Sequence, residues 1–183
     1  VLSVVATLVY PASPDTEAVL DAVETLDVNH LNSWGDMLLK LRAAASARGI
    51  DVDAIVGLGP FRDQHGELIP DELQSNMLGM SETFAVHSGE GLDVRLPDSK
   101  AGASGRAING YERRVVNPET GVEVAIGDVG ELQLRGGALM TGFYKVPRSK
   151  TFTADGFYPT GDLVRIDADG YLYFIARRGD MIK

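Results

Sequence analysis

The chain has 183 residues, 44% hydrophobic and 23% charged, which is ordinary globular material for one moderate domain or two small subdomains. A formal net charge of −9 argues against a nucleic-acid or anionic-membrane surface, because such surfaces need clustered Lys and Arg. The cysteine count is 0, which excludes disulfides and thiolate metal sites and mildly favours a cytoplasmic location.

In chain order, the opening "VLSVVATLVYPASP" has an apolar run ending in small residues but lacks the basic start of a signal peptide. A Val/Leu/Tyr run broken by Pro11 and Pro14 predicts a strand buried on both faces, and a chain beginning in such a strand reads as a piece of a longer one. No apolar run approaches membrane-spanning length, so no membrane span is expected. Ser13 as N-cap with Pro14 at the first helical position opens a helix whose Val19, Leu20, Val23 and Leu26 share a face. "VNHLN" (28–32) predicts a short strand, Asn32 or Ser33 caps a helix from Trp34 to about Arg48, Gly49 ends it, and "VDAIVGL" (52–58) is the next strand. Strands alternating with helices predict an α/β fold, a parallel sheet with crossover helices over residues 1–103. Ligands in such sheets gather at the carboxyl ends of the strands.

From about residue 104 the pattern changes. "YERRVVNPETGVEVA" predicts two short strands around a turn at 117–121, "GDVGELQLRG" an alternating strand, and "DLVRIDADGYLYFIARR" a hairpin. Residues 104–176 are therefore expected to form a small antiparallel, barrel-like β subdomain, followed by a charged segment over 177–183.

Three stretches carry chemistry. In "NMLGMSETFAVHSGE" (76–90), Gly79 permits a tight turn, and Ser81, Glu82 and Thr83 place hydroxyl, carboxylate and hydroxyl side by side. That trio suits a nucleotide phosphate with Mg²⁺, although Ser-Glu-Thr is also helix-starting chemistry. In "GELQLRGGALMTGFYKVPRSKTFTADGFYPTGDL" (130–163), the glycines allow close backbone approach, and Lys145 and Arg148 can face anions or solvent. Asp162 at its end can take both donors of a vicinal diol, or it can cap an Asx-turn. In "FIARRGDMIK" (174–183), Arg177, Arg178, Asp180 and Lys183 read on their own as a solvated terminus.

Taken in order, Leu78-Gly79-Met80-Ser81-Glu82, Gly130-Glu131-Leu132…Arg135-Gly136…Gly142-Phe143-Tyr144, Thr160-Gly161-Asp162, "GRAINGYERRVVNPETG" and "RRGDMIK" resemble the adenylate-forming superfamily. The likeness is greatest to its acyl-CoA synthetases and fatty-acid-CoA ligases, over about residues 13–183. It implies an enzyme that uses ATP, Mg²⁺ and CoA to convert a carboxylic acid into an acyl-adenylate with release of pyrophosphate, and then into a thioester.

The resemblance implies that Gly79, Met80 and Ser81 meet the nucleotide, that Ser81 contacts phosphate, and that Glu82 holds Mg²⁺. It makes Asp162 the ribose-diol carboxylate with Arg177 on the same sugar, and it places the hinge at Gly179 and Asp180. Trp34 with Leu31, Met37 and Leu38, an apolar set that at this spacing is more often core, and His87 are candidate acyl-pocket residues. Leu78 departs from the family's adenine-stacking Tyr and can offer only an apolar face. The family's adenine loop would fall near Gly57-Leu58-Gly59-Pro60, where "FRDQHGELIP" is inserted. No phosphate loop ending in Lys and no lobe with the family's catalytic Lys occur within the sequence. The expectation is therefore a central piece of a larger ligase, inactive by itself. An acyl-AMP ligase, a carrier-loading adenylation domain, or a non-catalytic nucleotide-binding module would share these motifs.

Overall fold

The computed structural model describes residues 7–33 and 35–179. The chain divides into two compact units, Val1–Phe61 and Arg62–Lys183.

In the first unit, α1 (Thr16–Thr25) and α2 (Gly35–Ala47) close on a core of Leu20, Val23, Leu41, Ala45, Ile55 and Leu58. The helical spacing of Val19, Leu20 and Val23 sets the buried face of α1, whereas Leu26 is its exposed C-cap. The N-cap is Asp15 rather than Ser13: its carboxylate accepts the Ala18 N–H at 2.9 Å and adds a negative charge where the helix dipole favours one. Glu17, Asp21 and Glu24 form one stripe along α1, and Arg48, just beyond α2, pairs with all three. Gly49 ends α2 with φ +75°.

The expected strands at 28–32 and 52–58 contract to a single parallel bridge, His30 to Val56, with α2 as the crossover between them. Parallel pairing is stable in wide sheets covered on both faces, and two short segments satisfy only the central rung. The expected opening strand lies largely on residues 1–6, outside the described residues. Residues 7–10 are not strand, and Leu8 and Tyr10 are exposed. At the end of this unit Arg42 donates to the Leu58 and Gly59 carbonyls at 2.6 and 2.8 Å. Gly57 there (φ +85°) is irreplaceable, because a Cβ would sit 2.1 Å from the Leu31 oxygen.

The second unit contains a three-stranded antiparallel sheet of β1 (Leu78–Gly79), β2 (Val86–Gly89) and β3 (Arg106–Ala107). It also contains a four-stranded antiparallel meander of β4 (Tyr111–Val116), β5 (Gly130–Gly136), β6 (Tyr158–Ile166) and β7 (Leu172–Arg177). The meander is built on Leu132, Leu134, Val164 and Leu172. Its β7 edge is partly closed by a bridge from Gly105 to Leu172, so the chain leaving that bridge runs through β3 directly into β4. The predicted hairpin at 162–178 is β6–β7, with Asp167 accepting the Asp169 and Tyr171 N–H groups in an Asx-turn. Two expectations are corrected. The stretch 111–125 is one strand plus a bridge from Val116 to Glu123, because the Asn117 turn returns only far enough for one rung. β5 is buried on both faces rather than alternating, because it is an interior strand whose polar Glu131 and Gln133 are covered by Arg178 and Arg114.

Candidate functional site

The site is built around an irregularity in β6. β5 pairs Glu131 with Leu163 and Gln133 with Pro159, so β6 carries two more residues than β5 over the same span. Thr160-Gly161-Asp162 therefore stand opposite the single residue Leu132, with Gly161 at φ +78°. The Thr160 hydroxyl fills the gap, donating to the Leu132 carbonyl at 2.9 Å and accepting the Asp162 N–H at 3.1 Å. Bulges of this kind re-aim a side chain.

The side chain re-aimed is Asp162, which is only 4% exposed. Its carboxylate caps no turn and accepts no hydrogen bond among the described residues, so the Asx-turn reading fails. Among the described residues its one ion-pair partner is its cross-strand neighbour Arg177, with Nε 3.8 Å from Oδ1. Burial, reinforced by the charges of Glu82 and Glu131 and opposed by Arg177, raises the Asp162 carboxyl above the ordinary range. A buried, unbonded carboxylate destabilises the protein, so its persistence points to a partner outside the chain.

Glu82 reaches this cluster from the other sheet. Gly79 ends β1, where a Cβ would lie 2.7 Å from the Ala85 oxygen, so the glycine is required by strand approach. Met80 caps a short 3-10 turn of Ser81, Glu82 and Thr83, in which Ser81 is exposed, Glu82 half-buried and Thr83 fully buried. Thr83 leaves the expected trio: its hydroxyl accepts the Met80 N–H at 3.1 Å and donates to the Ala85 carbonyl at 2.6 Å. The turn is anchored from two sides, by Tyr111 donating to the Thr83 carbonyl at 2.5 Å and by the Met140 N–H donating to the Glu82 carbonyl at 2.8 Å.

The motifs gave Tyr158 no role, and they contained Glu131 and Arg178 without assigning either to this site. The Tyr158 hydroxyl is pushed up by burial and by the nearby Glu82. Buried Glu131 pairs with Arg178 at 3.2 Å. The cluster therefore combines three carboxylates, Glu82, Glu131 and Asp162, with Arg177 and Arg178. Gly79, Met80, Ser81, Glu82, Asp162 and Arg177 all fall in the second unit. Gly179 follows β7 in a turn, while Asp180 lies outside the described residues.

Of the two acyl-pocket candidates, Trp34 lies outside the described residues. His87 is fully buried in β2 of the second unit, packed edge-on against Tyr111 at 6.3 Å. Its Nδ1 is 2.9 Å from the Ser88 hydroxyl, its Nε2 has no partner, and burial together with Arg113 lowers its pKa to about 4. No group of three or more His, Asp or Glu converges as a metal cage among the described residues. Nor is any helix among them long and apolar enough to cross a membrane.

Residues 1–144 match the family model described as AMP-binding enzyme. Pyochelin synthase PchD of Pseudomonas aeruginosa is 51% identical over 109 residues, 58% of this chain and 19% of that protein. A 4-coumarate–CoA ligase-like protein of Arabidopsis thaliana is 27% identical over 189 residues, 97% of this chain and 33% of its own length. The chain thus spans a third or less of these relatives. Among solved structures, an anthranilate CoA ligase in complex with anthranoyl-AMP superposes with TM-score 0.69 at 19% identity, covering 97% of this chain and 35% of that one. O-succinylbenzoate CoA synthetase from Bacillus subtilis in complex with AMP gives 0.64 at 21%, covering 91% and 43%. At these identities the structural likeness establishes the α/β fold alone.

Proposed function

Because the chain belongs to the adenylate-forming, AMP-binding enzyme family, with its residues 1–144 matching the family model, we propose that it is the nucleotide-binding part of an ATP-dependent acid–thiol ligase. In the proposed reaction a carboxylate oxygen attacks the α-phosphate of ATP, the bond to the β-phosphate breaks and pyrophosphate leaves. The acyl-adenylate then passes its acyl group to a thiol, most simply that of CoA, with loss of AMP.

The observation that carries this reading is the buried Asp162 carboxylate, without a hydrogen bond and facing Arg177. Two lone-pair edges suit the two hydroxyls of a ribose, and Arg177, half-exposed on the neighbouring strand, reaches the same sugar. Ser81, exposed at the head of its turn, donates to phosphate, and Gly79 and Met80 give that turn its approach. Glu82 fits Mg²⁺: a single accessible carboxylate, with the remaining positions left to phosphate oxygens and water, is the usual pattern for that ion. Bound there, Mg²⁺ supplies neutralisation of the charge developing on the phosphates. Arg177 and Arg178 hold the carboxylate cluster near neutrality as an anionic ligand enters. The acid is an aromatic or other bulky apolar carboxylate, a class supported by the names 4-coumarate and anthranilate CoA ligase among the similar proteins.

A second reading keeps the adenylation and changes the acceptor to a carrier-bound thiol. The 51% identity to a pyochelin synthase favours it. Both readings are tested by titrating AMP into the chain and into Asp162→Ala. Binding weakened at least about tenfold by the substitution, with the melting temperature not lowered, is expected from the loss of two charge-assisted bonds. Unchanged AMP affinity in Asp162→Ala overturns the assignment.

A further inference from the structure

In a chain of net charge −9, the stretch from Leu132 to Ala154 holds Arg135, Lys145, Arg148 and Lys150 and no acidic residue. Two of these cations, Arg135 and Arg148, line one open cavity of about 350 Å³, with Thr141, Gly136 and Gly156 also in its wall. They are not equivalent. Arg135 spends its fork on the Glu112 carboxylate and the Asp155 carbonyl, so its charge is largely offset. Arg148 lies 3.9 Å over the Phe152 ring and donates Nη1 to the Thr141 carbonyl at 2.8 Å. Its Nε and Nη2 make no hydrogen bond or ion pair among the described residues.

A guanidinium pinned by one ring and one carbonyl, with its other edge free, is preorganised for an oxyanion. Gly136 and Gly156 in the same lining add no side chain, which lets a ligand approach closely there, and Leu139 and Met140 supply its apolar part. The same loop is tied to the Ser81–Thr83 turn by the Met140 N–H on the Glu82 carbonyl at 2.8 Å. The cavity therefore adjoins the proposed nucleotide site without sharing Asp162 or Arg177.

We propose that this cavity is an anion subsite for the phosphate groups of the thiol acceptor, with Arg148 as the binding contact; this rests on the thioester-forming reading above. The adenylate phosphate is taken by the Ser81 turn and the acid carries none, which leaves the acceptor and released pyrophosphate as phosphate sources. A volume of about 350 Å³ is at the scale of small-molecule pockets and exceeds what an inorganic anion needs, which favours the acceptor.

The test is calorimetric titration of CoA, pantetheine, pyrophosphate and AMP into the chain, Arg148→Gln, Arg148→Lys and Asp162→Ala, each first checked for an unchanged melting temperature. Arg148→Gln is expected to weaken CoA about tenfold or more while leaving pantetheine and AMP unchanged, with Arg148→Lys in between. Pyrophosphate weakened by Arg148→Gln with CoA unaffected overturns the acceptor assignment, as does CoA affinity unchanged in every variant. If CoA responds to Asp162→Ala and not to Arg148→Gln, its phosphates sit in the nucleotide site and the separate subsite is refuted. An Arg148 effect on CoA supports the subsite even if Asp162→Ala leaves AMP binding intact, which would sink only the ribose assignment.

Discussion

Asp162 and His87 are both buried titratable groups, and they bend the stability curve in opposite directions. Asp162 has a folded-state carboxyl raised by burial, so the folded chain binds its proton more tightly than the unfolded chain does. Stability attributable to it is present at low pH and is lost as pH rises through the raised value. Asp162→Asn is therefore expected to raise the melting temperature at pH 7, with the gain vanishing in acid, while AMP affinity falls. Thermal melts from pH 3 to 8 check this, and an Asn variant less stable at neutral pH refutes it. His87 is depressed to about 4, by burial and then by Arg113. Its unfolded counterpart takes up a proton near pH 6.5, so the folded chain loses stability as pH drops from there toward 4, by about 3 kcal/mol at most. His87→Gln should flatten that acid limb, and urea midpoints at pH 7 and 4.5 measure it. At this scale Asp162 was legible as a choice between cap and ligand, because Thr160-Gly161-Asp162 names the residues. The bulge that decides the choice was not legible, since it exists only in the pairing of β6 with β5.

At the scale of elements, the β6–β7 turn is fastened to distant chain by two cations. Lys100 bonds Asp167 at 2.8 Å and Asp169 at 2.5 Å across the turn and lies over Tyr171. Arg113, on β4, donates to the Ser88 hydroxyl at 2.8 Å and the Gly170 carbonyl at 2.7 Å, linking β2, β4 and the turn. Burial lowers Arg113 to about 10, a sign of how much water it has given up. Arg113→Leu leaves those acceptors unpaired, and a loss of about 2–4 kcal/mol in urea unfolding is expected. A loss below about 0.5 kcal/mol would show that the meander stands without this cross-link. Neither cation was visible in the sequence as a structural link, because Lys100 and the turn it holds are 67 residues apart. The hairpin itself was visible, since Asp167-x-Asp169-Gly170 between apolar runs carries its turn chemistry locally. The first-unit strands were read too long for a complementary reason. Their apolar runs are real, but ladder length depends on how many strands pair, which no local window contains.

At the scale of the molecule, every residue given a nucleotide or acceptor contact in the proposed function and the anion subsite, from Gly79 to Arg177, lies in the unit Arg62–Lys183, which also has its own buried cluster and the whole of the meander. Among its described residues the unit Val1–Phe61 has two α-helices, a 3-10 turn, one parallel bridge and a six-residue buried cluster. A core of that size rarely overcomes the conformational entropy of about 60 residues without staples, and the chain has 0 cysteines to supply any. Residues 62–183, at about 120 residues, fall within the range in which single domains fold alone. Expressed separately, 62–183 should therefore unfold cooperatively with a β-type circular dichroism spectrum and bind AMP with the affinity of the whole chain. Residues 1–61 should remain largely unfolded. The Asp162→Ala substitution made within 62–183 should weaken that binding at least about tenfold, as in the whole chain, which ties the result to the site rather than to bulk charge. A folded 62–183 that fails to bind AMP, while the whole chain binds it, would overturn the assignment of the nucleotide site to that unit.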